Sequence, residues 1–444
     1  MIDRQHIPFS NTLPDFKFPE FELIDLDNGL KVFFIQNSSQ PLAAFNILTK
    51  KGAFADNIEG TTNITAQMLT RGTSEHTSSE IASMTEDIGT ALKATPNYDS
   101  NLLSSVSLGK FLDTAIDITT ECFFDSRFPE DELEKVIQKQ KATIMQQNSN
   151  ISYLAKYALQ KTIFLNTGYA KCISGTLKSV EHISRDNVWN NYIKNIKSAN
   201  PSIFLIGNYD KDFMMKKIEK LYGKLTFESD KQADSIPINL GTISLIDKPS
   251  SNQSSIILAR KMIDIKHPDF PYVQLVNTIF GGFFMSRLNK ILREEKGYTY
   301  GVHSSFDIKK LSVLHVISSN VNIDKTAESI EIIQDEYKKL RLNPITEEEL
   351  KRARQYYYGA FLRNVETPLQ VASMIRNMDL YDLDFKYYNN LWQKISNVKL
   401  DKLHTIVEKH FNLNNFVIAV AGDFKIIQSQ MEKFGSINII SIEN

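Results

Sequence analysis

Apolar positions along this 444-residue chain recur at two different periods, and the alternation between them predicts its elements. Short runs rich in β-branched and aromatic residues at 31–36, 43–50 and 102–108 predict strands. Stretches with apolar residues three and four apart, at 61–69, 79–88 and 111–124, predict helices interleaved with them. The pattern returns after the midpoint, with strands at 255–260, 300–307 and 312–319 and helices at 327–340 and 347–364. Each half therefore reads as α+β.

The halves also repeat each other. Ile183-Ser184 leads through a helical stretch to Ile203-Phe204-Leu205-Ile206-Gly207, and Ile395-Ser396 leads in the same way to Val417-Ile418-Ala419-Val420-Ala421-Gly422. Copies half a chain apart predict two similar domains, at 1–225 and 243–444. Polar residues such as Ser229-Asp230-Lys231-Gln232 mark a linker at 226–242.

Composition narrows the class. With 42% hydrophobic and 23% charged residues the chain has material for real cores, and a formal net charge of -1 argues against nucleic acid as a general partner. The basic stretches at 135–141 and 216–220 alternate with apolar or neutral residues and read as solvated helix faces. Cys122 and Cys172 are too few for a disulfide framework and read as buried, reduced thiols. The first ten residues lack a basic start and an apolar run of signal-peptide length, and no run reaches the ~18 apolar residues of a spanning helix. The expectation is a cytoplasmic protein without a membrane partner.

The most informative stretch runs from Phe280 to Tyr300. Met285, Leu288, Ile291 and Leu292 recur at helical spacing, Lys296 falls in the last turn, and Gly297 can take the left-handed conformation that ends a helix. A strand then starts near Tyr298. Arg293 at a helix end and Tyr300 on the adjoining strand can thus converge on one ligand, and a guanidinium beside a phenol suits carbonyls and carboxylates. Read as ordinary surface residues, Arg293 pairs with Glu294 and Tyr300 is a half-buried strand residue. Gly281-Gly282, followed by Phe283-Phe284, lacks the spacing and lysine of a phosphate loop and reads as a turn between packed helices. The cluster Tyr356-Tyr357-Tyr358 is expected to pack on the helix that bears Leu350 and Phe361.

This stretch resembles the Arg/Tyr motif of the M16 (pitrilysin or insulinase-like) metallopeptidases, G-G-x-x-x-S-R-L-x-x-x-L-R-E-x-x-G-x-x-Y, and carries it nearly complete. Leu26-Asp27-Asn28-Gly29-Leu30-Lys31-Val32 is similar to the family's first strand, and Phe128-Pro129-Glu130-Asp131-Glu132-Leu133 to the start of its later long helix. The resemblance implies two M16-type (LuxS/MPP-like) domains, each a mixed, mostly antiparallel sheet covered by helices, together forming half of a clamshell. It marks Arg293, Tyr300, Gly281 and Gly282 as the residues that would meet a peptide.

The zinc motif departs from the family. Catalytic members carry H-x-x-E-H on a helix, two imidazoles holding the metal and the glutamate deprotonating its water. The corresponding segment here has Asn63 and Gln67 at the histidine positions and Ala66 at the base, and the third ligand, a later glutamate, falls at roughly Thr143. No Asp or Glu occurs from 135 to 180, and the eight histidines never show the spacing. Neutral amides are poor zinc ligands and a methyl group cannot move a proton. Asn63 and Gln67 are expected to be polar positions on a structural helix face.

These features imply a catalytically incomplete subunit of a heterodimeric zinc peptidase. It would have no cofactor of its own, bind peptide, and supply Arg293 and Tyr300 to a site whose zinc is held by an H-x-x-E-H partner. The alternatives are a non-catalytic peptide-binding or chaperone-like module, or a structural core subunit. The retained Arg/Tyr motif favours the first.

Overall fold

The computed structural model describes residues 16–228, 235–412 and 415–442. Its strands are β1 (Glu22–Asp25), β2 (Lys31–Gln36), β3 (Leu42–Thr49), β4 (Lys93–Pro96), β5 (Asn101–Leu108) and β6 (Ser202–Gly207) in the first half. The second half has β7 (Ile243–Asp247), β8 (Gln253–Lys261), β9 (Thr299–Lys309), β10 (Ser312–Asn322), β11 (Val417–Gly422) and β12 (Ile437–Ile439). They form two six-stranded sheets, ordered β1-β2-β6-β3-β5-β4 and β12-β7-β11-β8-β10-β9.

The predicted repeat is a repeat of topology. β2 and β6 pair in parallel, as do β7 and β11, while β6 with β3, β3 with β5, and β5 with β4 are antiparallel, as are β11 with β8, β8 with β10, and β10 with β9. Only the outermost strands differ, β1 being antiparallel to β2 and β12 parallel to β7. Both sheets are mixed and mostly antiparallel, as the resemblance implies.

Helices cover the sheets on both faces of their central strands. The strands explain why: β6 and β11 are buried at every position, whereas β5 alternates buried and half-exposed. An unbroken apolar run such as Val32-Phe33-Phe34-Ile35 has side chains on both faces to bury. On the first sheet, Val32, Phe34, Phe45, Ile203 and Leu205 pack with helices of their own half. Phe33, Ile35, Phe204 and Ile206 face the other way, onto Val371, Ile375 and Met378 of the Pro368–Leu380 helix from the second half. The second sheet is treated reciprocally, with Ile246, Ile257, Val417 and Ala419 packing on Leu154, Ala158 and Leu159 of the first half's Ile151–Ile163 helix. Each half lends a helix to its neighbour's sheet.

Polar contacts fix this exchange. The wholly buried Asp379 carboxylate accepts Lys50 Nζ at 3.0 Å and Ser202 Oγ at 2.6 Å. In the opposite direction, Lys309 is nearly buried among Tyr98, Phe164 and Tyr169 of the first half, 5.2–5.7 Å from the three ring centroids, and pairs with Asp307. Burial lowers its basicity against the attraction of Asp307.

Several expectations change in detail. The expected linker at 226–242 lies partly at 229–234, outside the described residues; in its second part, Ile236, Ile238 and Leu240 are not loose but pack on the core shared by the Ile151–Ile163 helix and the second sheet. Met285, expected on an apolar helix face, precedes the helix and is 59% exposed. Of the three tyrosines, only Tyr357 meets Phe361 as expected; Tyr358 turns to Trp392 of the Tyr387–Asn397 helix and Tyr356 to Phe283, 5.1 Å between centroids. Cys122 and Cys172 are both buried and not joined in a disulfide; burial pushes the Cys122 thiol up to about 12.

Candidate functional site

The joint between Phe280 and Tyr300 is built by unusually wound helix ends. The Phe270–Asn277 helix runs on into a π-turn at Thr278–Gly282, and after a loop the Arg287–Asn289 turn runs into a second π-turn at Lys290–Glu295. Single π-turns inside helices often mark functional sites. Gly297 ends the second with φ +67°, as its position predicts. Gly281 is buried, and a Cβ there would meet Ser304 Cβ at 2.7 Å and Leu288 Cδ1 at 3.0 Å. Its lack of a side chain thus serves the packing of helix on strand, while Gly282 is half-buried.

Two asparagines that sequence reasoning passed over hold the strand to the helices. Asn289 donates Nδ2 to Val302 O at 2.9 Å and accepts Val302 N–H at 3.0 Å, pairing with β9 as another strand would. The same amide reaches Ser286 Oγ at 3.1 Å and Phe283 O at 3.2 Å. Asn277 Nδ2 donates to Ser304 O at 3.0 Å. Both side chains occupy the outer edge of β9, which satisfies backbone groups that an edge strand otherwise leaves unpaired.

Tyr300 stands at a bulge. Val302 pairs with Ser319 and Thr299 with Val321, so Tyr300 and Gly301 together face Asn320. An extra residue of this kind re-aims a side chain. Tyr300 is 95% exposed, and its hydroxyl has no hydrogen bond among the described residues.

Arg293 is held differently. Its guanidinium carbon lies 3.3 Å from the centroid of the Phe284 ring, and NH2 donates to Glu294 Oε1 at 2.6 Å. The side chain is only 17% exposed. No hydrogen bond, ion pair or cation–π contact joins Arg293 to Tyr300 among the described residues. The motif's other arginine, Arg287, is structural: it makes two bonds, of 2.6 and 2.8 Å, to Glu349 and reaches the carbonyls of Asn343 and Pro344.

At the position of the zinc motif, Gly60 (φ +94°) opens the Thr61–Met68 helix. Gln67 Nε2 donates to Gln140 Oε1 at 3.0 Å, and Gln140 Nε2 donates to Ser174 O at 2.8 Å. Gln140, on the Glu130–Ser149 helix, is thus the residue that meets Gln67; Thr143, one turn on, bonds back to Lys139 O. Ala66 is buried, and Asn63 makes no side-chain hydrogen bond among the described residues. Two neutral amides joined to each other, with a methyl group where the base would stand, do not fit zinc. The signal for Gln140 was present, since it falls at helical spacing with the buried Leu133, Val136 and Ile144. Beneath the helix, Asp56 accepts Thr62 N at 3.0 Å and Asn191 Nδ2 at 3.1 Å, and burial pushes its carboxyl up to about 6 against these bonds.

One group among the described residues has metal-ligand proximity: His267, Asp269 and His410, with ligand atoms within 4.8 Å of one another. Its carboxylate is already engaged by His410 Nε2 (3.0 Å), Lys402 (3.0 Å) and Lys409 (3.1 Å), and His267 Nδ1 accepts the Asp269 N–H at 3.0 Å. Burial raises the Asp269 carboxyl, but these donors outweigh it and hold it well below the usual range. A divalent cation would compete with two ammonium groups for that carboxylate. The cluster acts as an ion-paired tie between the Phe270–Asn277 and Leu400–His410 helices.

Comparison with known proteins agrees with this geometry. Residues 31–177 match the sequence model of Insulinase (Peptidase family M16), and residues 182–357 match that of the Peptidase M16 inactive domain. A relative from Helicobacter pylori described as a non-peptidase homolog is 22% identical over 410 residues, covering 89% of this chain and 92% of its own. An uncharacterized zinc protease of Rickettsia bellii is 26% identical over 337 residues, 75% of this chain and 81% of that protein. The crystal structure of a peptidase M16 inactive domain from Pseudomonas fluorescens superposes with a TM-score of 0.83 at 23% identity, covering 91% of this chain and 98% of that one. The chain belongs to the M16 peptidase family, with Asn63, Ala66 and Gln67 where catalytic members carry the H-x-x-E-H zinc motif.

Proposed function

We propose that the chain is the zinc-free subunit of a two-chain M16 peptidase, binding peptide and presenting Arg293 and Tyr300 to an active site whose metal and base come from an H-x-x-E-H partner. The observation that carries this reading is Tyr300, a bulge residue 95% exposed with an unused hydroxyl. A large aromatic side chain held out this far gains nothing for its own fold, and its hydroxyl is left open to donate to a ligand.

In this reading Tyr300 donates its hydroxyl proton in a hydrogen bond to the scissile carbonyl oxygen as negative charge develops there. Oriented donors of this type contribute about 10²–10³ in kcat. Arg293, permanently charged and planar, holds a neighbouring backbone carbonyl of the peptide. The partner's zinc, when bound, supplies the Lewis acid and the activated water. The degenerate positions Asn63, Ala66 and Gln67 play no part in the chemistry.

The test is co-purification and assay with a companion H-x-x-E-H chain. The isolated protein is expected to hold no stoichiometric zinc and to cleave no peptide, whereas the mixture cleaves. Peptidase activity from this chain alone, or failure of any such companion to associate, overturns the proposal. Peptide binding without turnover in the mixture selects the non-catalytic peptide-binding module instead.

A further inference from the structure

Arginine carries much rotamer freedom, and a ligand that uses it has to pay for freezing it. Here that freezing precedes any ligand. The guanidinium of Arg293 lies 3.3 Å from the centre of the Phe284 ring, closer than the ~6 Å within which a cation and a ring attract. Phe284 is itself 68% exposed, in the loop between the two π-turned segments, so its ring covers the arginine without being covered in turn.

A stacked ring occupies the flat face of a guanidinium and leaves its rim of N–H groups open. Among the described residues only NH2 has a partner, the Glu294 carboxylate; Nε and NH1 have none. The arginine is therefore fixed by its face and available at its edge. We propose that Phe284 is a positioning residue of the peptide site, holding Arg293 flat so that its edge meets a carbonyl oxygen of an extended peptide. The inference rests on the reading of Arg293 as a peptide ligand and adds to it the residue that sets its geometry.

The experiment is a double-mutant cycle on the full chain, read as anisotropy of fluorescein-labelled oxidised insulin B chain. Phe284→Ala is expected to weaken binding about three- to tenfold, the cost of immobilising one long side chain. Phe284→Trp is expected to retain it, because indole offers the better cation–π face. With Arg293→Ala already in place, Phe284→Ala is expected to change nothing further. An equal loss in both backgrounds overturns the inference, since the ring would then be acting by itself. If Arg293→Ala weakens binding and Phe284→Ala does not, the inference fails while the function of Arg293 stands. If Arg293→Ala leaves binding unchanged, the assignment of Arg293 fails with it.

Discussion

The amide of Gln67 donates to that of Gln140 across 3.0 Å and so joins two helices where catalytic relatives would hold a metal. Gln140 is buried, and its own amide continues to Ser174 O. Gln67→Ala leaves the Gln140 carbonyl oxygen without its donor, at an expected cost of about 1–3 kcal/mol in urea unfolding. Asn63→Ala, which removes no hydrogen bond, is expected to stay within about 0.5 kcal/mol of the parent. Equal effects from the two would show that the pair is not structural.

Tyr300→Phe removes a hydroxyl that bonds nothing in the fold, so thermal stability is expected to be unchanged within about 0.5 kcal/mol. Turnover of the assembled two-chain enzyme is expected to fall about 10²–10³-fold, with co-elution of the subunits intact. Undiminished turnover would remove the phenol from the mechanism.

Asp379 is the buried pole of the contact between the halves, holding Lys50 and Ser202. Asp379→Ala leaves the mostly buried Lys50 ammonium only the exposed Asp382 carboxylate, 3.6 Å away, and a loss of about 3 kcal/mol is expected in denaturant unfolding. Lys31 is also within 3.6 Å of Asp379 but is more than a third exposed, so Lys31→Met is expected to cost under about 1 kcal/mol.

His315 is fully buried, its Nε2 at 2.7 Å from Ser304 Oγ and 2.8 Å from Asn277 Oδ1. Burial, with the nearby Arg260 charge, pushes it down to about 3. A folded-state pKa below the unfolded value means that the unfolded chain takes up the proton first. Its contribution is complete above about pH 6.5 and is lost as pH falls towards 3, at up to ~1.4 kcal/mol per pH unit. Asp56 runs the other way: with its carboxyl raised to about 6, its contribution is present below about pH 4 and is lost as pH rises through 6. His315→Gln is therefore expected to flatten the acid limb of stability against pH, and Asp56→Asn to steepen it. Urea midpoints between pH 4 and 7 check both.

The sequence made much of this legible. The unbroken apolar runs ending at Gly207 and Gly422 became the fully buried central strands, and Gly297 took the positive φ its place after a helix predicts. Those signals are local, one residue's conformational freedom or a strand's own burial. The bulge that turns Tyr300 outward depends on its pairing with β10, and the opposition of Gln67 to Gln140 depends on how two helices cross. The stack of Phe284 on Arg293 spans nine positions through a loop. Neither periodicity nor spacing encodes such encounters. The same holds for Asp269, whose carboxylate meets Lys402, Lys409 and His410 from far along the chain.

The reciprocal loan of helices makes the two halves mutually dependent. Either half expressed by itself would show bare strand surface, Phe33 and Phe204 in one case and Val417 and Ala419 in the other, and would be prone to aggregate. A protease nick near residue 230 would instead leave both fragments clasped, so the intact particle would survive a broken backbone.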